Sequence, residues 1–126
     1  MAPRRDPASR RAALRWGLQA EVVAAVFLSL KFYAVLARRY TAAGGEIDLV
    51  VRRGRTIAFV EVKARGDFGA AADAIGEEKR RRIMRAISRW CARNPWSESF
   101  VLRCDVVLVA PWRWPRHIVD ALAMDD

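Results

Sequence analysis

The segment GGEIDLVVRRGRTIAFVEVKAR, residues 44–65, carries two apolar, strand-like runs that are each broken by charge. Asp48 interrupts the first, and Glu61 and Lys63 interrupt the second. A buried charge without a partner is costly, so these three need a reason. If the turn between the runs centres between Arg53 and Gly54, Asp48 pairs with Phe59 and Glu46 with Glu61. Side chains alternate faces along a strand. Asp48, Phe59, Glu61 and Lys63 then share one face, and Ile47, Leu49, Val51, Ala58, Val60 and Val62 share the other. Two carboxylates about 4 Å apart repel by several kcal/mol at an intermediate dielectric. Either one carboxyl takes up a proton, or a divalent cation sits between them. Hard oxygen donors suit Mg²⁺ or Mn²⁺. Lys63, projecting beside them, can hold or polarise a water. Together these are the parts of metal-assisted phosphodiester hydrolysis. The plainer alternative is a solvated charged face with an ordinary Glu61–Lys63 pair, worth little energetically.

A third carboxylate lies upstream. Glu21 has Gly17, Leu18, Ala24 and Ala25 as its helical neighbours. It is either aimed into the domain, toward the same site, or placed at the exposed edge of its helix. Periodicity does not separate the two where nearly every neighbour is apolar.

The elements that must position these groups follow from pattern. Residues 1–8 read as a loose basic tail and 9–126 as a single α/β domain. Ser9 is an N-cap candidate for a helix over 10–30. Its second half, AEVVAAVFLSL, is apolar on nearly every face and predicts a buried helix. KFYAVLARRY predicts a strand with a polar end. Gly44-Gly45 breaks the chain. Residues 46–51 and 56–64 are Val- and Ile-rich strands joined by RRGR, and 66–75 is a small-residue loop. Residues 77–93 form an amphipathic helix on Ile83, Ile87 and Trp90, ended by Asn94-Pro95. A strand over 100–110 and a short closing strand over 116–122 complete a mixed sheet, since a helix joins the hairpin to the next strand.

Several of these residues form a longer combination. Gly45-Glu46-Ile47-Asp48 is followed by Val60-Glu61-Val62-Lys63 with Arg65, then Phe68-Gly69 and Lys79. Arg103-Cys104-Asp105, His117-Ile118, Gly17 and Glu21 extend it over about residues 10–122. This pattern resembles the YraN-like family of small bacterial proteins, and the wider restriction-endonuclease-like, PD-(D/E)XK nuclease superfamily. The resemblance implies an αβββαβ core with a central mixed sheet flanked by helices. It implies Asp48 and Glu61 as metal ligands with the Val62 carbonyl, Lys63 as catalytic lysine and Glu21 as accessory acid. It also implies likeness to Holliday-junction resolvases, whose two-site work would call for a homodimer. Ile47 replaces the proline of the superfamily's name. Arg39 stands in place of Asn and Cys104 in place of an aromatic, both read as clear of the metal site.

Charge points to a polyanion. Lys and Arg number 23 and Asp and Glu 14, a net charge of +9. In 77–93, Arg82, Arg85, Arg89 and Arg93 follow one helical stripe with Arg81 adjoining, and Lys79 and Arg80 precede them. Arg65, Lys79, Arg82, Arg85 and Arg89 are the candidate phosphate contacts. No base-reading motif is present, so binding should follow shape and charge. Trp16 and Trp90 read as core, while Trp112 and Trp114, in a proline-bounded loop, read as exposed. His117 reads as structural. Cys91 and Cys104 have no metal-like spacing and read as small core residues in a reducing cytoplasm. No stretch is long and apolar enough to span a bilayer. The residues therefore point to a DNA endonuclease dependent on Mg²⁺ or Mn²⁺, acting on branched substrates if the resemblance extends that far. A non-catalytic nucleic-acid-binding or assembly module on the same fold is the alternative.

Overall fold

The computed structural model describes residues 7–64 and 75–124. Arg65, the Phe68-Gly69 pair, nearly all of the expected 66–75 loop and most of the expected basic tail lie outside them. The elements are α1 (Pro7–Leu30), β1 (Ala34–Ala42), β2 (Gly45–Arg53), β3 (Thr56–Ala64), α2 (Glu77–Arg93), β4 (Val101–Val109) and β5 (Arg116–Ile118). A 3₁₀ turn, Pro95–Ser99, links α2 to β4. The protein is thus α/β, with the αβββαβ order that the sequence suggested. α1 begins at Pro7, so Ser9 lies inside its first turn and is not its N-cap. Proline is well suited to a first helical position. The closing strand ends at Ile118, short of the expected 122.

The five strands lie in the order β1-β2-β3-β4-β5. β1, β2 and β3 form an antiparallel meander, β4 runs parallel to β3, and β5 returns antiparallel to β4. A parallel neighbour needs a crossover, which α2 supplies. Alternation along β3 divides the core into two layers. Ala58 and Val60 pack with Ala20, Ala24 and Leu28 of α1. Ile57 and Phe59 pack with Ile83, Ala86, Ile87 and Trp90 of α2.

Two expectations are corrected here. The register differs by two residues: Leu49 pairs with Val60, Val50 with Phe59 and Val51 with Ala58. The loop is Gly54-Arg55, with Gly54 at φ +63 in the first loop position, where a glycine best serves a two-residue hairpin. A shift of two leaves every side chain on its expected face, but it changes the partners. The exception is Ile47, which packs with Val50 and Phe59 in the α2 layer and not with Leu49 and Val51. Second, α1 is not buried all round. One stripe (Ala20, Glu21, Ala24, Leu28) covers the sheet, while Leu18, Val22, Val23, Val26 and Leu30 remain exposed. Small alanines let the backbone of α1 sit close to the strands, and the larger side chains are left outside.

Candidate metal centre and nucleic-acid face

The charged groups meet where the β2–β3 ladder stops. The last pair is Leu49↔Val60, and extending the register by one residue sets Asp48 across from Glu61. There the ladder changes character: the Val62 backbone N–H donates to Asp48 Oδ2 at 2.7 Å. Asp48 therefore has one oxygen fixed by the neighbouring strand, and its carboxyl also meets that of Glu61. Glu61 is only 6% exposed. Its Oε1 lies 2.7 Å from Lys79 Nζ and 3.6 Å from Lys63 Nζ. β2 thus contributes Asp48, β3 contributes Glu61 and Lys63, and α2 contributes Lys79.

The electrostatics follow from that crowding. Burial, and then the negative charge of Glu61, push the Asp48 carboxyl up to about 7, against the lowering effect of the Val62 N–H. A proton on Asp48 is shared with Glu61 by a hydrogen bond. For Lys79, burial works against the charge, but hydrogen bonding and attraction to Glu61 prevail and its pKa is raised.

Glu21 resolves in favour of the inward placement. It is 6% exposed and lines a cavity of about 470 Å³ together with Asp48, Glu61, Val62, Lys63 and Lys79. It is held by β1: Arg39 Nε donates to both Glu21 oxygens at 3.2 Å, and Arg38 Nε stands 3.5 Å away. Arg39, expected to stand clear of the site, instead borders it. Its direction is hidden from sequence because Arg39 has φ +50 inside a strand, which breaks the alternation on which sequence reasoning relies. A second cavity, about 660 Å³, runs from Asp48 and Glu61 past Glu46 and Gly45 to Lys79 and Arg82.

The oxygens present suit a hard divalent cation: two adjacent carboxylates whose mutual repulsion holds a proton on one of them, with the Val62 carbonyl on the same strand. Among the described residues no set of three or more His, Cys, Asp or Glu side chains forms a metal site, so water or phosphate oxygens would complete the shell. Lys79 competes for the same Glu61 oxygen.

Arg82, at the far end of the second cavity, lies with Arg81, Arg85, Arg89 and Arg93 on the exposed side of α2. Arg82 stands 4.0 Å from Glu78, and Arg85 Nε donates to the Ala43 carbonyl at 3.2 Å. Lys79 does not join them freely, since it donates to Glu61. Trp112 and Trp114 are exposed, as expected.

Arg103, Asp105 and His117, separate parts of the sequence pattern, meet in one buried polar cluster that spacing does not foretell. Asp105, fully buried, accepts from Arg103 Nε and Nη2 at 2.9 Å, from the Asp120 backbone N–H at 2.9 Å, and contacts His117 Nε2 at 2.7 Å. Lys31 Nζ lies 2.7 Å from His117 Nδ1. An ammonium can only donate, so Nδ1 accepts and Nε2 carries the proton that faces Asp105. The cluster ties the turn after α1 to β4 and β5, which gives His117 the structural role its isolation in the sequence suggested. Cys104 is buried and Cys91 half-buried, both as free thiols.

Among the described residues no helix is long and apolar enough to cross a membrane. Residues 20–109 match the profile described as the uncharacterised protein family UPF0102. A UPF0102 protein of Methylorubrum extorquens is 56% identical over 126 residues, covering 99% of this chain and 98% of the relative. One of Methylobacterium nodulans is 56% identical, covering 95% of each chain. One of Methylocella silvestris is 52% identical, covering 96% of this chain and 98% of its own.

Proposed function

The chain belongs to the uncharacterised protein family UPF0102, and from that premise we propose that it is a divalent-metal-dependent DNA endonuclease of the restriction-endonuclease-like, PD-(D/E)XK kind. One observation carries the reading: Asp48, Glu61 and Lys63 converge on one cleft from two adjacent strands, with Glu21 opposite. Asp48, Glu61 and the Val62 carbonyl would hold Mg²⁺ or Mn²⁺. A bound ion would supply charge neutralisation at the phosphoryl oxygens and a more acidic water. The chain's own residues do the rest. Asp48 gives up the proton that burial and Glu61 hold on it. The Val62 N–H keeps one Asp48 oxygen in place. Lys63 Nζ, 3.6 Å from Glu61, orients the attacking water or offsets charge developing on the phosphorus centre. Glu21 accepts hydrogen bonds from that water across the cleft. Arg82, Arg85 and Arg89 track the nucleic-acid backbone, with Lys79 at the rim and Arg65 as a further phosphate contact proposed from the sequence alone. Branched recombination intermediates are the substrate suggested by the resolvase likeness, and a homodimer would suit them.

One contact favours a second reading. Lys79 already neutralises Glu61 at 2.7 Å, which suits a nucleic-acid-binding or assembly module without turnover. A single experiment separates the two. Labelled linear, flapped, single-stranded and four-way-junction DNA is incubated with the protein in Mg²⁺, Mn²⁺ or EDTA, beside Asp48→Ala and Lys63→Ala. Metal-dependent cutting lost in both variants supports the nuclease. Binding by all three proteins with cutting by none supports the module.

A further inference from the structure

Arg39 is not accounted for by the ion pair it makes. It sits between the ladder pairs Arg38↔Leu49 and Tyr40↔Ile47, yet its φ is +50, a region that is unfavourable for any residue with a Cβ. In a regular strand Arg38 and Arg39 would point to opposite faces. The kink undoes that alternation and brings both Nε atoms to Glu21, at 3.5 and 3.2 Å. One arginine would have sufficed to neutralise one carboxylate.

The contact also uses little of the side chain. Arginine normally grips a carboxylate with two parallel N–H bonds. Here the single Nε–H is split between Oε1 and Oε2, and neither Nη group has a hydrogen-bond partner among the described residues. The Arg39 side chain is 47% exposed, against 8% for Glu21. It borders the cavity that contains Asp48, Glu61 and Lys63. A strained backbone therefore delivers a guanidinium whose Nε edge is fixed by a buried carboxylate, at a position that lines both this cleft and an apolar cavity with Trp16, Leu18 and Val22.

We propose that Arg39 is the phosphate-positioning residue of this cleft. Glu21 sets its orientation, and its two Nη groups clamp a phosphodiester of the strand that passes Asp48 and Glu61. For what enters the cleft this rests on the nucleic-acid reading above. A planar fork matches two phosphate oxygens in a way a lysine ammonium does not, so Arg39 fixes where the strand lies and not merely that it binds.

The test uses Arg39→Asn, since asparagine tolerates positive φ and removes the charge without disturbing β1. Affinity for a labelled DNA duplex is measured in EDTA over a series of salt concentrations. Arg39→Asn should weaken binding by roughly tenfold and reduce the slope of log K against log salt by about 0.9, the loss of one phosphate contact. Its melting temperature should stay within a few degrees of the wild type. Arg39→Lys should restore the slope while leaving the cleavage KM raised. Unchanged affinity and slope in Arg39→Asn overturn the proposal, as does a wild type with no measurable duplex affinity. A reduced slope in a protein that cuts nothing with Mg²⁺ or Mn²⁺ upholds Arg39 and sinks the nuclease. Cutting with an unchanged slope does the reverse.

Discussion

At the scale of single residues, half-buried Asp48 and fully buried Asp105 are opposites, and pH separates them. Asp48 is raised from 3.8 to about 7. A carboxyl raised in the folded state contributes stability at pH below its ordinary value, and that contribution is lost as pH rises through about 7. Asp48→Asn keeps an oxygen for the Val62 N–H and removes the charge facing Glu61. Its melting temperature should exceed the wild type's by several degrees at pH 8 and by little at pH 4, while any cutting disappears. Thermal melts at both pH values check this, and a pH-independent gap refutes it. Millimolar Mg²⁺ or Mn²⁺ should raise the wild-type melting point at pH 8 and leave the variant's unmoved. Asp105 goes the other way. Burial alone would push it up, but His117, Arg103 and the Asp120 N–H hold it down to about 2. Its stabilisation is present above the ordinary carboxylate range and is lost as pH falls from about 4 to about 2. Asp105→Asn leaves Arg103 and His117 facing a neutral group, a loss on the order of 3 kcal/mol, measurable by urea denaturation at pH 7. A variant as stable as the wild type would show that the cluster is not a structural tie.

At the scale of elements, the close approach of β2 to α2 sets the cleft. A Cβ on Gly45 would lie 1.9 Å from the Arg82 carbonyl oxygen and 2.7 Å from its carbon. Both atoms are backbone, so no side chain can swing away. Gly45→Ala must push α2 off the sheet, at a cost on the order of 3 kcal/mol, and should carry Lys79 away from Glu61. Gly54 offers the comparison: its φ is +63, but a Cβ there would meet nothing within 4 Å, so Gly54→Ala should cost only about 1 kcal/mol. Denaturation midpoints for the two variants test that ranking, and equal losses would break it. The hairpin also shows what sequence can convey. The shared face of Glu61 and Lys63 is legible because a period of two survives any even shift, whereas at Asp48 the alternation breaks, since Ile47 joins the α2 layer while Leu49 stays in the α1 layer. The cross-strand partners are not legible, because RRGR admits two turns and nothing local says whether Gly54 takes the first or a central place. Arg39 is illegible for a different reason: its side-chain direction comes from a left-handed φ imposed by packing. On α1 the apolar count is legible, yet which face is covered depends on the alanines that approach the sheet.

At the scale of the whole molecule, charge and apolar surface are segregated. α1 presents Leu18, Val22, Val26 and Leu30 outward, and α2 presents arginines on the far side of the sheet. With a net charge of +9, any duplex will be attracted, so affinity alone says little about where it lies. The salt dependence says more, because each phosphate contact releases counterions in proportion to its number and not its strength. Replacing Arg82, Arg85 and Arg89 together with Gln removes three exposed charges on one stripe. If that stripe tracks the backbone, the slope of log K against log salt should fall by roughly 2 to 3, and equally for unrelated duplex sequences. These residues lie outside the Asp48–Glu61 contact, so cutting at saturating DNA should persist while KM rises. Arg85 adds a structural term, because it holds the Ala43 carbonyl of the β1–β2 turn. A parallel Arg82→Gln, Arg89→Gln pair that leaves the turn intact should lower the slope by roughly two-thirds as much. A slope unmoved in both sets would take the duplex off α2 and leave the cleft to be approached from α1.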